Sequence, residues 1–79
     1  MVKAYVLLKV KAGSEREIVT SLDSIKEVAE VSELYGDWDV IARLGLQRFE
    51  DLDRILTEKI RSLNGIKESS TMIVAEYVK

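Results

Sequence analysis

Within seven residues, Leu34-Tyr-Gly-Asp-Trp-Asp-Val40, the chain gathers its only tryptophan, one of its three tyrosines, one of its four glycines and two aspartates. If Asp37 and Asp39 sit on a strand, their i, i+2 spacing projects both carboxylates to one side. Such a pair could hold a divalent cation or an ammonium group, or it could be the solvated acid of an ordinary turn. A second polar cluster, Ser69-Ser70-Thr71, offers three hydroxyls. These could hydrogen-bond a carboxylate, or serve turn and strand chemistry alone. Gly13-Ser14, ahead of a helical pattern, could receive an anion or act as a plain helix cap. Catalysis needs a nucleophile, a base or a metal within mutual reach. With no His and no Cys, thiol chemistry, disulfides and zinc spacings are excluded. We therefore expect no enzyme, no catalytic residue, no metal and no cofactor.

The elements that position these residues follow from periodicity. Val2, Ala4, Val6, Leu8 and Val10 alternate with Lys3, Tyr5, Leu7 and Lys9, which predicts a first strand over 2–10. Ser14 with Glu17 fits a capping box, and Ile18, Val19, Leu22 and Ile25 continue at helical spacing to about Ile25. A second strand is expected over 27–35, a turn at Gly36-Asp37, and a third strand over 37–44 that Gly45 ends. Trp38, Val40, Ala42 and Leu44 would share one face of this strand; Asp39, Ile41 and Arg43 would share the other. Phe49, Leu52, Ile55, Leu56, Ile60 and Leu63 mark one long amphipathic helix, with an acidic first turn (Glu50, Asp51, Asp53) that suits the helix dipole. Asn64-Gly65 stops it, and a last strand runs over 70–78. The order β-α-β-β-α-β predicts an α+β, ferredoxin-like sandwich: a four-stranded antiparallel sheet, strands 1 and 3 central, with both helices on one face.

Seventy-nine residues make one domain, 1–79, of marginal size. Without disulfides or metals, oligomerisation is the reinforcement left open. The net charge is −2, with acids and bases interspersed. No basic run resembles a phosphate-binding patch, so direct nucleic-acid binding is not expected. No stretch approaches a membrane span, and Lys9 interrupts the apolar N-terminus, which lacks a signal-peptide cleavage site. No membrane association is expected, and the location implied is cytoplasmic.

Helices cover only one face of such a sheet, and the other should be polar in a monomer. Here Tyr5 and Leu7 on strand 1, Ile41 on strand 3, and either Ile73-Ala75-Tyr77 or Met72-Val74-Val78 on strand 4 point outward. A patch of this kind marks an association surface. The expected dimer interface is Tyr5, Leu7, Ile41, Ile73 and Tyr77.

With these elements in place the chain resembles the RAM domain, the ligand-binding half of the Lrp/AsnC family of amino-acid-responsive transcription regulators. The likeness rests on Tyr35-Gly36-Asp37-Trp38-Asp39, where the family carries Gly-x-aromatic-Asp before an apolar strand. It rests also on Gly65-Ile66 followed by Ser69, Thr71 and a strand ending in Val78-Lys79, similar to the family's Gly-Val…Thr-x-Thr ending. The resemblance implies dimers joined through the sheet, assembled into rings that are often octameric. It further implies an amino-acid effector bound between dimers, by Tyr35, Gly36, Asp37, Trp38 and Asp39 facing Ser69, Ser70 and Thr71. Carboxylates would suit the ammonium, and hydroxyls the carboxylate. Asp39 could instead serve the hairpin's own hydrogen bonds. The family's regulators carry an N-terminal helix-turn-helix domain, whereas Met1 leads directly into strand 1. The implied role is a stand-alone sensor that joins itself or a full-length regulator. A dimeric α/β-barrel enzyme, an ACT-like regulatory domain and a ligand-free adaptor share the fold and stay open as alternatives.

Overall fold

The computed structural model describes residues 1–76 and 78. Four strands, β1 (Val2–Val10), β2 (Val28–Glu33), β3 (Val40–Leu46) and β4 (Ile66–Ile73), form one antiparallel sheet in the order β2-β3-β1-β4. Helix α1 (Glu15–Asp23) joins β1 to β2, and α2 (Glu50–Ile55) joins β3 to β4. Each helical connection thus spans one intervening strand, as the ferredoxin-like sandwich requires. The alternation in β1 explains its central place. Ala4, Val6, Leu8 and Val10 are buried; Ala4, Val6 and Leu8 pair with the buried Leu44, Ala42 and Val40 of β3, and Val2 pairs with the buried Leu46. Ile18 and Leu22 of α1, with Leu52, Ile55, Leu56 and Ile60 of the second helical segment, close over them. Among the described residues every buried side chain is apolar, so the core owes its stability to removed apolar area rather than to internal polar pairing. No helix among the described residues is long and apolar enough to cross a membrane.

Several boundaries differ from expectation. Helix α1 ends at Asp23, before Ile25, which packs on the core from the following turn. The capping box does not form. Ser14 already has helical dihedrals (φ −96°, ψ −2°) and makes no side-chain cap, whereas a capping hydroxyl needs an extended residue. Glu15 Oε1 instead accepts a hydrogen bond from Gly13 N at 3.1 Å. Gly45 does not end β3; it pairs with Lys3 inside the strand. The second helix is not uniform. After Ile55 it widens into a π-helical turn over Leu56–Ile60, with Arg61 N donating to Leu56 O at 2.8 Å.

β4 starts at Ile66 rather than Ser70 and ends at Ile73. Its start is held by the preceding loop: Lys11 N donates to Gly65 O at 2.7 Å. Gly65 is required there twice over. Its φ is +96°, and a Cβ would stand 3.0 Å from the Ser14 Cβ and Oγ. Only glycine combines a left-handed backbone with so close an approach.

Glu27 ties the start of β2 to the second helical segment through Lys59 Nζ at 3.3 Å. Partial desolvation works against its charge. Its own backbone N–H, together with the hydrogen bond and charge of Lys59 and the charge of Arg54, outweighs this and holds the carboxyl below its ordinary value of 4.5. A depressed carboxyl contributes stability above its unfolded pKa and loses it as pH falls through the folded value. The Lys59 head is partly exposed, so the contribution is below about 1 kcal/mol. The difference in urea midpoint between wild type and Glu27→Gln is expected to stay constant above about pH 5 and to close below 4.5. A difference that persists in acid would show that the charge of Glu27 contributes nothing.

Candidate functional site

The loop 34–39 joins β2 to β3 and is closed at its base by Leu34 N donating to Asp39 O at 2.8 Å. Gly36, at φ +128°, makes the turn that a side chain would strain. Both aspartates precede the first residue of β3, so the alternation expected to align them does not apply. Asp37 is exposed at the turn, whereas Asp39 is half-buried. Asp39 is bound to β1 twice: its N donates to Leu8 O at 2.9 Å, and its Oδ2 accepts from Val10 N at 2.8 Å. The carboxylate therefore supplies the acceptor that the main-chain ladder no longer offers at this end of β1.

Trp38 also departs from the expected alternation. It does not continue the buried row of Val40, Ala42 and Leu44. Its ring lies under the Lys9 ammonium, 5.4 Å from Nζ to the ring centroid. Lys9 alternates with the buried Leu8 and Val10, so this contact lies on the open face of the sheet. Lys9 Nζ is in turn 3.6 Å from Glu68 Oε2 on β4.

On the helix side, the loop opens a cleft of about 410 Å³ lined by Glu15, Glu33, Leu34, Tyr35 and Asp39. Glu33 faces it because it pairs with the buried Val40. Glu15 comes from the first turn of α1, and Tyr35 is fully exposed at the rim. No three His, Cys, Asp or Glu among the described residues converge closely enough to hold a metal ion. The carboxylates therefore ring the opening rather than meet at a point. Such a rim favours an ammonium or another cationic group over an anion. Of the expected loop residues, Tyr35 and Asp39 line the cleft, while Gly36, Asp37 and Trp38 do not. Glu15, Glu33 and Leu34 were not anticipated. The alternation of Val31 and Glu33 along β2 could have marked Glu33. Nothing local could have brought Glu15 there.

The hydroxyl cluster lies inside β4, not at its entry. Ser69 pairs with Leu8, Ser70 with Leu7 and Thr71 with Val6. Directly opposite residues share a face, so Ser69 and Thr71 lie on the helix side and Ser70 on the open side. Leu8 also pairs with Val40, which puts Ser69 two strand spacings, about 10 Å, from the base of the loop. The three hydroxyl residues do not line the cleft. Thr71 Oγ1 is buried without a hydrogen-bond partner among the described residues.

The open face carries Tyr5, Leu7, Ile41 and Arg43, with Leu7 paired to both Ile41 and Ser70. Ile73 is corrected. It pairs with the buried Ala4, which turns it to the helix side, and Met72, opposite Tyr5, takes its place. Tyr77 lies outside the described residues. Tyr5 and Met72 are exposed, at 38% and 51%, so an apolar strip runs across the uncovered side of the sheet.

The model of the Lrp/AsnC ligand binding domain matches residues 3–79. The HTH-type transcriptional regulator FL11 of Pyrococcus horikoshii is 37% identical over 76 residues, covering 96% of this chain and 50% of the regulator. The chain thus spans about half the length of the curated relatives it matches. A hypothetical protein of Pyrococcus horikoshii is similar in structure, with a TM-score of 0.91 and 39% identity, over 98% of this chain and 93% of that one. The transcriptional regulator of Neisseria meningitidis solved as a complex with L-Met has a TM-score of 0.88 at 19% identity, over 99% of this chain and 52% of that one; it shares the fold. The regulators among these relatives act in transcription and are not enzymes. The match runs over residues 3–79, and the chain belongs to the Lrp/AsnC family, over the part that forms its ligand-binding domain.

Proposed function

We propose that residues 1–79 act as one oligomeric sensor domain that binds a small amino acid and modulates transcription regulation. It would do so by assembling with itself or with full-length Lrp/AsnC regulators. The observation that carries this reading is the acid-rimmed cleft at the β2–β3 loop, in a domain matched by a ligand-binding family model. In this reading the ammonium meets the loop at Tyr35 and Asp39, which line the cleft, while Gly36, Asp37 and Trp38 shape the loop around it. Ser69, Ser70 and Thr71 of a neighbouring subunit supply hydroxyls to the carboxylate. The separation of the two sets within one chain supports a shared site between subunits. The L-Met complex of the Neisseria meningitidis regulator supports an amino acid as the effector. The open sheet face supports dimerisation as the first step of assembly, with an octamer as the closed form. A ligand can shift that assembly only by the difference in its affinity for the two states.

The test is unfolding with each of the twenty amino acids in turn, in denaturant if heat does not suffice. An effector at 100 times its dissociation constant should add about 2.7 kcal/mol, a shift on the order of 10 °C for a domain of this size. Asp37→Ala, in an exposed turn, should reduce that shift and leave the unliganded transition in place. A protein that responds to none of the twenty is better read as an adaptor.

A further inference from the structure

The loop that carries the candidate site is held by β1 both within the plane of the sheet and from its open face. In the plane, Asp39 Oδ2 accepts the Val10 N–H at 2.8 Å. On the open side, the Lys9 ammonium stands over the Trp38 ring at 5.4 Å and is anchored to Glu68 of β4 at 3.6 Å. Lys9 and Val10 are adjacent, and so are Trp38 and Asp39. Two consecutive residues of β1 therefore grip two consecutive residues of the loop, one through the main chain and one through a side chain. The β1–β3 register ends at Leu8 and Val40, so these contacts take over where the ladder stops. A register shift between Lys9 and Val10 in the pairing with β4 marks the same point, which lets the two residues serve different strands.

We infer that Asp39 and Lys9 are positioning residues that clamp the β2–β3 loop and set the shape of its cleft. Asp39 acts through its acceptor oxygen. Lys9 acts from a face the ligand does not touch. The inference rests on the proposed site for its functional meaning, while the clamp itself is a property of the unliganded chain. It also links the cleft to the surface proposed for assembly, because covering the open face would desolvate the Lys9–Trp38 pair. A cation over an aromatic ring gains when water is removed.

The experiment is amide hydrogen exchange of the unliganded protein, wild type against Asp39→Asn, Asp39→Ala and Lys9→Met, at a concentration where all sediment as one species. The Val10, Leu34 and Asp39 amides report on the clamp, since all three donate at the base of the loop; Val6 and Ala42, in the sheet centre, report on global opening. In Asp39→Ala the Val10 amide should exchange about tenfold faster or more, as expected for loss of a hydrogen bond to a charged acceptor. Asp39→Asn keeps a neutral acceptor and should exchange at a rate between wild type and Asp39→Ala. Lys9→Met keeps the apolar stem and should speed the Leu34 and Asp39 amides about two- to fivefold, with a shift in Trp38 emission.

The inference is overturned if Asp39→Asn is as unprotected as Asp39→Ala, or if neither Asp39→Ala nor Lys9→Met changes the loop amides relative to Val6 and Ala42. Because no ligand is added, a failed amino-acid screen would not touch this result, and a rigid loop in every variant would not touch the screen.

Discussion

Ile41→Lys is expected to convert the wild-type assembly into a smaller species in sedimentation while leaving the far-ultraviolet spectrum of the fold intact. Ile41 sits at the centre of the open face, paired with Leu7 on one side and Ser32 on the other. In a single subunit it is only half-buried, so a lysine can turn its ammonium to water at little cost to the fold. In a sheet-to-sheet dimer that escape is closed. An unpaired charge would be trapped in an apolar interface, at an effective cost of several kcal/mol. Two-fold symmetry places the substitution in the interface twice, so the penalty is felt from both subunits. An interface of ordinary affinity does not survive a loss of that size. A variant that sediments as wild type would remove the open face from the assembly and leave the Tyr5–Met72 strip as ordinary exposed surface.

The second large effect is in the core. Leu8→Ala should cost about 2–5 kcal/mol, the range for deleting a buried leucine side chain where the surroundings cannot collapse. Leu8 is fully buried and lies between Val40 on β3 and Ser69 on β4. Its neighbours are thus held by two hydrogen-bonded ladders and are poorly able to fill the space. A domain of this length has about 4–12 kcal/mol in all, so this one change removes a large share. The urea midpoint should fall by about 2 M or more, with the slope unchanged, given a slope near the low end for small domains. If folding is linked to assembly, the midpoint of the variant will rise with protein concentration. A shift below about 0.5 kcal/mol would mean that the cavity refills, contrary to the rigid frame described above.

These expectations show where local information was enough. The strict alternation of β1 is a period-two signal that holds whatever surrounds it. It identified the buried row Ala4, Val6, Leu8 and Val10 and left Tyr5 and Leu7 on the other face. The order of strands and helices, with right-handed connections, allowed one compact arrangement, and that is the sheet observed. The glycine turn at Gly36 and the stop at Gly65 were legible because a left-handed backbone selects glycine.

Other features depend on atoms far apart in the chain. The Ser14–Glu17 capping box is a sound local motif, yet Gly65 packs against Ser14 and the serine adopts helical dihedrals instead. Asp37, Trp38 and Asp39 were assigned faces by alternation, but they precede β3, and the directions of Trp38 and Asp39 are set by β1 through Val10 N, Leu8 O and Lys9. Ile73 was placed outward because either parity of β4 satisfied the pattern. Only the pairing of Ile73 with Ala4 decides it. Glu15 reaches the cleft because the topology brings the start of α1 beside the end of β2, a juxtaposition with no trace in local spacing. The sequence by itself determined the elements, their order, the core row and the turn glycines, because backbone sterics and side-chain period act within a few residues. The tertiary structure alone decided which side chains ring the cleft and which face the open sheet, because register and crossing are fixed by contacts between distant segments.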